Sequence, residues 1–150
     1  MDRIILPLYS YLKNKKYVYK QSGLNQWNAG GRSRDFDEVY IPIPKDVRYD
    51  FRGFFPGRER VFLLRTNNGK SMYAKVCQDN GKALMSNPNV ILGQWILRDV
   101  LNIPRGKVVD YEDLSRSGFD SVVITKYSIN DYYIEPASIG SYEEQFTDIY

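Results

Sequence analysis

Residues 59–78, ERVFLLRTNNGKSMYAKVCQ, contain two apolar segments joined by the polar sequence TNNGK. Segments of this length and composition favour β-strands. Asn68 and Gly69 can adopt the positive φ angles that a tight turn between antiparallel strands requires. The stretch therefore predicts a β-hairpin.

Further strands are predicted on both sides of this hairpin. Upstream, RIILPLYSY at residues 3–11 predicts a first strand, and EVYIPIP at 38–44 alternates and ends in prolines that suit a strand end or a sheet edge. Downstream, SVVITKYSINDYYIEP at 121–136 predicts a second hairpin that turns at Asn130 and Asp131. About seven strands would form a closed or half-closed barrel, because closure removes exposed edges.

One or two helices complete the predicted fold, which is mainly β (α+β). SNPNVILGQWILRDVLNIPRG at 86–106 predicts one amphipathic helix, with Ser86 or Asn87 as N-cap and a proline stop. YEDLSRSG at 111–118 predicts a short second helix. An acidic tail follows at about residues 137–150, and its pattern leaves its order open.

The composition excludes several kinds of catalytic site. The chain has 150 residues, the size of one domain, with no histidine and a single cysteine, Cys77, which we expect in the core. Without histidine there is no Ser-His-Asp triad, no Cys-His pair and no histidine metal ligand. One cysteine forms neither an internal disulfide nor a cysteine-rich zinc site. We therefore expect a single domain, residues 1–150, that uses no metal and no cofactor.

No membrane-spanning or signal segment is predicted. No apolar run reaches the roughly 18 residues that a transmembrane helix needs. The first residues, MDRIILPLYSYL, have an early acid and no small-residue cleavage site. These features predict a cytoplasmic protein without membrane contact.

Charge is unevenly distributed along the chain. Residues 1–34 carry seven basic side chains and one acidic one, and residues 45–82 carry nine basic and four acidic ones. Residues 35–44 contain three acids and no base, and residues 83–150 contain ten acids and five bases. A basic front half predicts one positive face suited to a polyanion, although such charge runs are more often only solvated surface.

The polar stretch QSGLNQWNAGGRSRDFDE, residues 21–38, lies between two predicted strands. Long loops without core residues are uncommon in compact domains unless they are functional, so this stretch is a candidate binding arm. Arg32 and Arg34 can each offer a planar fork to guanine, and nearby side-chain amides can pair with adenine or with phosphate oxygens. Those amides belong to Gln21, Asn25, Gln26 and Asn28, and the basic residues before them are Lys13, Lys15, Lys16 and Lys20. A flexible solvated loop is an equally good interpretation of this composition alone. Either arginine could instead pair with Asp35, Asp37 or Glu38 and only hold the shape of the arm.

A second polar stretch, QDNGKALMSN at residues 78–87, follows a predicted strand and precedes the predicted helix. It again combines amide, acid, glycine and lysine side chains. Two polar arms that leave one barrel could grip a duplex from both sides, which favours double-stranded DNA as the partner.

These motifs are compatible with two alternative functions, and one further motif match is only apparent. The NNGKS sequence is not a phosphate-binding loop, because the required glycine five residues before Gly69 is replaced by Leu64. Asp35, Asp37 and Glu38 could ligate magnesium in a compact nuclease, although such clusters usually face water. An RNA-binding or protein-interaction barrel is a further alternative.

Four segments carry a family resemblance: SGLNQWNAGGRSRDFDEVYIPIP, GFFP, TNNGKS and QDNGKALMSNPNVILGQW. Together they resemble the C-terminal DNA-binding domain of NgoFVII-type restriction endonucleases, which is related to the recognition domain of BfiI. The resemblance runs in order through most of residues 3–135. It implies an open pseudobarrel like that of the plant B-three domains and the EcoRII effector domain, in which two arms enter the major groove and read a short asymmetric site. It also implies that cleavage belongs to a separate phospholipase D-like nuclease domain or subunit.

Carried over to this sequence, the resemblance places the N-arm at about residues 20–35 and the C-arm at about residues 75–87. The family arm is often shorter, and here Trp27 could stack on a sugar or brace the loop. The predicted N-arm contacts are Gln21, Ser22, Asn25, Gln26, Trp27, Asn28, Arg32, Arg34 and Asp35. The predicted C-arm contacts are Lys75, Gln78, Asp79, Asn80, Lys82 and Ser86. The predicted phosphate contacts are Lys13, Lys15, Lys16, Lys20, Arg52 and Arg58.

Overall fold

The computed structural model describes residues 2–78 and 81–147. Its strands are β1 (Asp2–Pro7), β2 (Ser10–Leu12), β3 (Lys15–Tyr17), β4 (Ile41–Pro42), β5 (Phe62–Thr66), β6 (Ser71–Cys77), β7 (Ala83–Asn87), β8 (Phe119–Ser128) and β9 (Asp131–Ser138). Its helices are a 3₁₀-helix (Gly23–Asn28), α1 (Lys45–Asp50), α2 (Ile91–Gly93) continuing as a π-helix (Gln94–Val100), α3 (Tyr111–Ser117) and α4 (Ser141–Thr147).

Seven of these strands form one mixed sheet in the order β1-β8-β9-β5-β6-β7-β4. The β5–β9 pair is parallel and the other neighbours are antiparallel. The two outer strands, β1 and β4, approach each other, so the sheet curls into a nearly closed barrel. Buried side chains, led by Trp95, Tyr132 and Phe62, fill the interior. The predicted mainly β pseudobarrel is confirmed.

The hairpin at residues 59–78 is confirmed as β5 and β6, with Leu64 opposite Met72. Its turn is closed by two hydrogen bonds: Thr66 N–H donates to the Lys70 carbonyl at 2.8 Å, and Lys70 N–H donates to the side-chain Oγ1 of Thr66 at 2.9 Å. Gly69 has a φ of +86°, as expected, whereas Asn68 keeps a negative φ. Cys77 is buried at the end of β6.

The first predicted strand divides into two elements. The strand β1 ends at Pro7, and residues 10–17 form a separate hairpin of β2 and β3. Lys13 and Asn14, with φ angles of +52° and +63°, make its two-residue turn, which matches the strand twist of a tight hairpin. From the sequence, the residues from Lys13 onward were interpreted as a polar segment that precedes the N-arm, and the hairpin was not predicted. The predicted strand at 38–44 is reduced to the two residues of β4.

The predicted helix at 86–106 begins later than expected. Residues 83–87 form β7, because Leu84 pairs with Val76 and the strand completes the ladder to β4. Ser86 is therefore not the residue that precedes the helix, although its hydroxyl does accept a hydrogen bond from Leu92 N–H at 3.0 Å. Long-range pairing outweighed the local helix-start signal. The helix continues through the π-helical turn, which buries Trp95 and Ile96.

The other helix and hairpin predictions are confirmed at α3 and at β8–β9, but the hairpin turns at Ile129 and Asn130, one residue before the predicted Asn130 and Asp131, because Asp131 already pairs in β9. An unpredicted short helix, α1, follows β4. Part of the acidic tail forms α4, which is attached to β1 by two bonds: Ile5 N–H donates to Gln145 Oε1 at 2.9 Å, and Gln145 Nε2 donates to the Ile5 carbonyl at 2.8 Å. Among the described residues, no helix combines the length and apolar character needed to cross a bilayer.

Candidate nucleic-acid interface

The ladder between β4 and β7 positions both predicted arms. Ile41 lies opposite Leu84 and Pro42 opposite Ala83, so the two strands run in opposite directions. The chain from the N-arm enters β4 at one end of this ladder, and the chain from the C-arm enters β7 at the other end. The ladder continues one residue further at the C-arm, where Ile43 N–H donates to the Lys82 carbonyl at 2.8 Å. The two arms therefore lie at opposite ends of a short strand pair.

The N-arm, residues 20–35, is a folded segment whose first half is the 3₁₀-helix. Asn25 is fully buried within it. Its amide Nδ2 donates to the carbonyls of Tyr19 and Val109 at 2.8 and 2.9 Å, and its Oδ1 accepts from Val109 N–H at 2.8 Å. Asn25 thus ties the arm to the loop before α3, and its side chain has no capacity left for a base.

Two buried acids fix the C-terminal end of the N-arm against the π-helix. The Asp37 carboxylate contacts Arg98 and Arg105, each at 2.7 Å. Glu38 Oε2 contacts Arg32 at 2.9 Å and Arg34 at 3.0 Å. The arm backbone also packs so closely on α2 that a Cβ atom on Gly93 would lie 1.8 Å from the Asp37 carbonyl oxygen. The arm is therefore held by charge and by close backbone packing together.

Aromatic and amide side chains brace the middle of the N-arm. The Trp27 ring contacts the Phe36 ring edge-on, with 5.2 Å between the ring centroids. The Arg105 guanidinium lies over the same Phe36 ring, 5.5 Å from its centroid. Asn28 Nδ2 donates to the Lys20 carbonyl at 2.9 Å. These contacts assign Trp27 and Asn28 to shaping the loop. The half-buried side chain of Gln26 leaves its Oε1 without a hydrogen bond among the described residues.

Arg32 and Arg34 differ in how much of each side chain reaches solvent. Arg34 is 16% exposed and donates to the Ala29 carbonyl at 2.7 Å as well as facing Glu38. Arg32 is 58% exposed and contacts Glu38 through one terminal nitrogen. Of the other predicted N-arm contacts, Gln21 and Asp35 are exposed and Ser22 is half-buried. Asp35 Oδ1 accepts from Asp37 N–H at 2.8 Å.

The predicted phosphate contacts of the N-terminal side separate into two groups. Lys13, Lys15 and Lys20 are exposed and have no ion-pair partner in the described part of the chain. Lys16 instead lies 3.0 Å from Glu143 and 3.4 Å from the buried carboxylate of Asp120. Burial favours loss of its proton, but these acids outweigh it and raise the pKa of Lys16. Lys16 is half-buried and connects the β2–β3 hairpin to α4.

The C-arm is shorter than predicted. Only residues 78–82, here called the C-arm turn, lie between β6 and β7, and Gln78 and Gly81 have φ angles of +68° and +66°. Asp79 and Asn80, two predicted base contacts, lie outside the described residues. Lys82 is exposed. Lys75 lies in β6, 3.0 Å from Glu59.

Ser86, another predicted C-arm contact, is buried in β7. Its hydroxyl donates to the Pro88 carbonyl at 2.8 Å and accepts from Leu92 N–H, so it joins the strand to the following helix. Both hydrogen-bonding directions of the hydroxyl are used within the protein. We therefore remove Ser86 from the predicted interface.

A positively charged cleft of about 270 Å³ lies beside the C-arm turn. Its lining includes Gly81 of the turn together with Phe51, Phe54, Arg52 and Arg58. Arg52 and Arg58 are exposed, and Arg52 lies over the Tyr49 ring at 5.1 Å. The two arginines predicted as phosphate contacts thus line one cleft with a residue of the C-arm turn.

A known protein family matches most of this chain. The model of the family described as the NgoFVII C-terminal B3-like DNA-binding domain matches residues 5–128. The chain belongs to this family. The resemblance inferred from the four sequence segments is confirmed, and membership supports DNA binding by the C-terminal domain of a restriction enzyme. No curated protein matches the sequence significantly.

Sequence interpretation missed the residues that hold the N-arm of this B3-like domain in place. Arg98, Arg105 and Asn89 all come from the region after the C-arm, and Asn89 Nδ2 donates to Glu38 Oε1 at 2.8 Å. The alternating charges of RSRDFDE were a signal that the arm contains internal pairs. The distant partners of Asp37 and Glu38 could not be inferred from that local pattern.

The acids considered as magnesium ligands are otherwise engaged in the B3-like domain. Asp37 and Glu38 face arginines, as described above, and Asp35 accepts a backbone hydrogen bond. Within residues 2–78 and 81–147, no three side chains of the carboxylate, histidine or cysteine type are grouped in a way that would hold a metal ion.

Proposed function

We propose that this B3-like domain recognises a specific base sequence in double-stranded DNA through the major groove, as the target-recognition module of a restriction endonuclease. The observation that carries this proposal is the placement of two polar arms at opposite ends of the β4–β7 ladder. The two arms leave one short ladder, so both can present exposed polar and basic side chains to the same duplex. The major groove of B-DNA, about 12 Å wide, carries the donor and acceptor pattern that such side chains read.

Base reading is assigned to the exposed polar groups of both arms. On the N-arm, Arg32 presents a guanidinium fork and Gln21 an amide, and both are accessible. On the C-arm, Gln78 and Lys82 flank Asp79 and Asn80, for which base contact remains a prediction from sequence. Arg34, Asn25, Trp27 and Asn28 support the arm and are not assigned to bases.

Phosphate binding is assigned to basic side chains on both sides of the ladder. Each phosphate contact that a lysine or arginine makes releases condensed counterions and steepens the salt dependence of binding by about 0.9. The assigned residues are Lys13, Lys15, Lys20, Arg52 and Arg58. Lys16 is left out because its ammonium group is already paired with Asp120 and Glu143.

We assign no cleavage chemistry to this chain. The sequence has no histidine, so the phospholipase D-like active site that the resemblance implies belongs to a separate nuclease domain or subunit. In the cell we expect the protein in a prokaryotic cytoplasm, associated with the nucleoid. Plasmid incubated with this chain and magnesium should remain intact, and cleavage that depends on Asp35 or Asp37 would favour the compact-nuclease alternative.

Selection from a random duplex library at near-physiological salt tests the proposal most directly. We expect enrichment of one short asymmetric site, and preferential binding of structured RNA or a peptide in direct competition would overturn it. Arg32→Lys then separates base reading from charge, because lysine keeps the charge and loses the fork. It should lose about 1 to 3 kcal/mol of discrimination at one position of the selected site.

Arg34→Lys is the matched control for Arg32→Lys, since it makes the same exchange two residues away. Because Arg34 supports the arm, it should lower stability without changing the preferred base at any single position. If Arg32→Lys keeps the wild-type preference at every position, the assignment of Arg32 to base reading is wrong. For the C-arm, Asp79→Ala should relax specificity more than it reduces affinity, because an acid near the backbone penalises wrong registers.

A further inference from the structure

Glu38 has an arrangement of partners that arm support alone does not require. Its side chain is 4% exposed, and a single carboxylate oxygen, Oε2, faces both Arg32 and Arg34, at 2.9 and 3.0 Å. The other oxygen, Oε1, accepts the hydrogen bond from Asn89. One buried negative charge therefore has two arginine partners. If one arginine leaves, the Glu38 carboxylate is still paired with the other.

The two arginines are not equally able to leave. Arg34 is mostly buried, and its terminal nitrogen donates to the carbonyls of Ala29 and Gly30 at 2.7 and 3.2 Å. Its Nε lies at ion-pair distance from Glu38 although that N–H does not point at the oxygen. Arg32 is mostly exposed and makes its contact through one terminal nitrogen. Arg32 is therefore the partner that DNA can draw away, while Arg34 stays to neutralise Glu38.

We propose that Glu38 is an internal counter-ion that holds Arg32 off DNA until the correct base pair offers it a bidentate contact. This inference rests on the proposed role of Arg32 in base reading. A phosphate at the solvent-exposed surface attracts Arg32 weakly, because salt screens exposed charges. A buried carboxylate is screened much less and competes well against a single phosphate. A guanine in the correct register accepts two hydrogen bonds from the Arg32 guanidinium and outcompetes Glu38.

Glu38→Gln tests this competition, because it removes the charge and keeps the shape and the acceptor for Asn89. With no carboxylate to hold it, Arg32 becomes available to phosphates of any duplex. We expect binding to random-sequence duplex at 0.15 M salt to tighten about threefold or more, and the salt slope to steepen by about 0.9. If Glu38 only supports the arm, the same substitution weakens binding, so the two roles predict opposite signs.

Asp131→Asn is the matched control. It removes one carboxylate from Arg65, whose ion pair measures 3.0 Å with side chains 45% and 36% exposed, on β5 and β9 outside both arms. The net charge of the protein changes by the same amount as in Glu38→Gln. We expect less than a twofold change in duplex affinity, and an equal gain would mean that net charge alone explains the effect and overturn the inference.

Arg32→Gln gives a second test that does not depend on the folding of Glu38→Gln. If Glu38 holds Arg32, the single substitution leaves random-sequence binding and its salt slope unchanged, and in the Glu38→Gln background it abolishes the gain. A slope that falls by about 0.9 in Arg32→Gln alone would show that Arg32 already contacts phosphates, and would overturn the inference.

All variants are titrated by fluorescence anisotropy at several salt concentrations, with urea unfolding as the check on folding. A folded Glu38→Gln variant without tighter binding, or one whose gain survives Arg32→Gln, overturns the inference and leaves the proposed function intact. A wild-type protein that binds no duplex at any salt concentration overturns both.

Discussion

The N-arm and the C-arm turn are both polar in sequence, and they differ in how the described part of each is held. Asn25, Asp37 and Glu38 are buried and bonded to Arg98 of the π-helix, to the loop before α3 and to neighbouring arginines. The C-arm turn lies between the paired strands β6 and β7, and its described residues Gln78 and Gly81 have positive φ angles. The long N-arm thus takes its shape from internal side-chain partners, whereas the ends of the C-arm turn are fixed by the ladder that it joins.

Breaking the contact between the N-arm and α2 should give the largest effect. In Gly93→Ala the new Cβ atom would lie 1.8 Å from the Asp37 carbonyl, so helix and arm must separate. We expect the free energy of unfolding to fall by about 3 kcal/mol. Selectivity for the selected duplex should fall as well, because the arm moves.

Gly30→Ala is the control for this substitution. No atom lies within 4 Å of the added methyl group, and the residue has no positive φ. Urea unfolding should place it within about 0.5 kcal/mol of wild type. If Gly93→Ala and Gly30→Ala lower the free energy of unfolding equally, close packing on α2 does not hold the arm.

Asn25→Ala tests whether the N-arm depends on internal hydrogen bonds. The substitution leaves the Tyr19 carbonyl and both backbone groups of Val109 without their partner. Buried groups left unsatisfied in this way should cost about 2 to 3 kcal/mol of unfolding free energy. Asn28→Ala, which removes one bond to the Lys20 carbonyl, should cost under about 1 kcal/mol. Equal losses would indicate a loop whose shape depends on neither amide.

Lys15 and Lys16 are adjacent in β3 and should separate DNA binding from stability. Lys16→Gln leaves Asp120 and Glu143 without their cation and should cost about 2 kcal/mol, less than a fully buried pair because Lys16 is partly exposed. Lys15→Gln should leave stability unchanged and lower the salt slope by about 0.9. The reverse pattern in unfolding and titration experiments would show that the hairpin uses Lys16 for DNA.

Lys82→Gln addresses the C-arm and has the smallest expected effect. The side chain is exposed, and the backbone carbonyl of Lys82 accepts a hydrogen bond from Ile43 N–H. We expect no change in stability, about threefold weaker duplex binding at 0.15 M salt and a slope lower by about 0.9. A stability loss comparable to that of Asn25→Ala would mean that the C-arm turn is anchored like the N-arm.

The sequence predicted the elements whose signals are local. The hairpin around Gly69 was specified by adjacent residues, and α3 begins with a capping box at Asp110 and Asp113 that fixes its start. The strand β7 was predicted as part of the C-arm, with the helix cap at its end, because its pairing with β6 and β4 is long-range. The β2–β3 hairpin was missed because its turn uses Lys13 and Asn14, and lysine is an unusual residue at positive φ.

The candidate interface was predictable in position and less so in the role of each residue. Polar composition located the N-arm, but it could not distinguish Arg32, which is exposed, from Arg34, which is mostly buried. The same composition includes Asn25, which makes two of its three side-chain hydrogen bonds to Val109, more than eighty residues away. Composition reports which groups can bond, and only the fold decides whether their partners lie inside the protein.

The strand order also has a consequence for how the protein folds. Because β8 and β9 lie between β1 and β5, the first strand pairs with residues near the end of the chain, such as Arg3 with Thr125. At a synthesis rate of about 5 to 20 residues per second, β1 leaves the ribosome roughly 10 seconds before its partner exists. Sheets dominated by such distant pairs fold in milliseconds to seconds. The barrel therefore closes only after synthesis of β8, and until then the edge of β1 needs protection from aggregation.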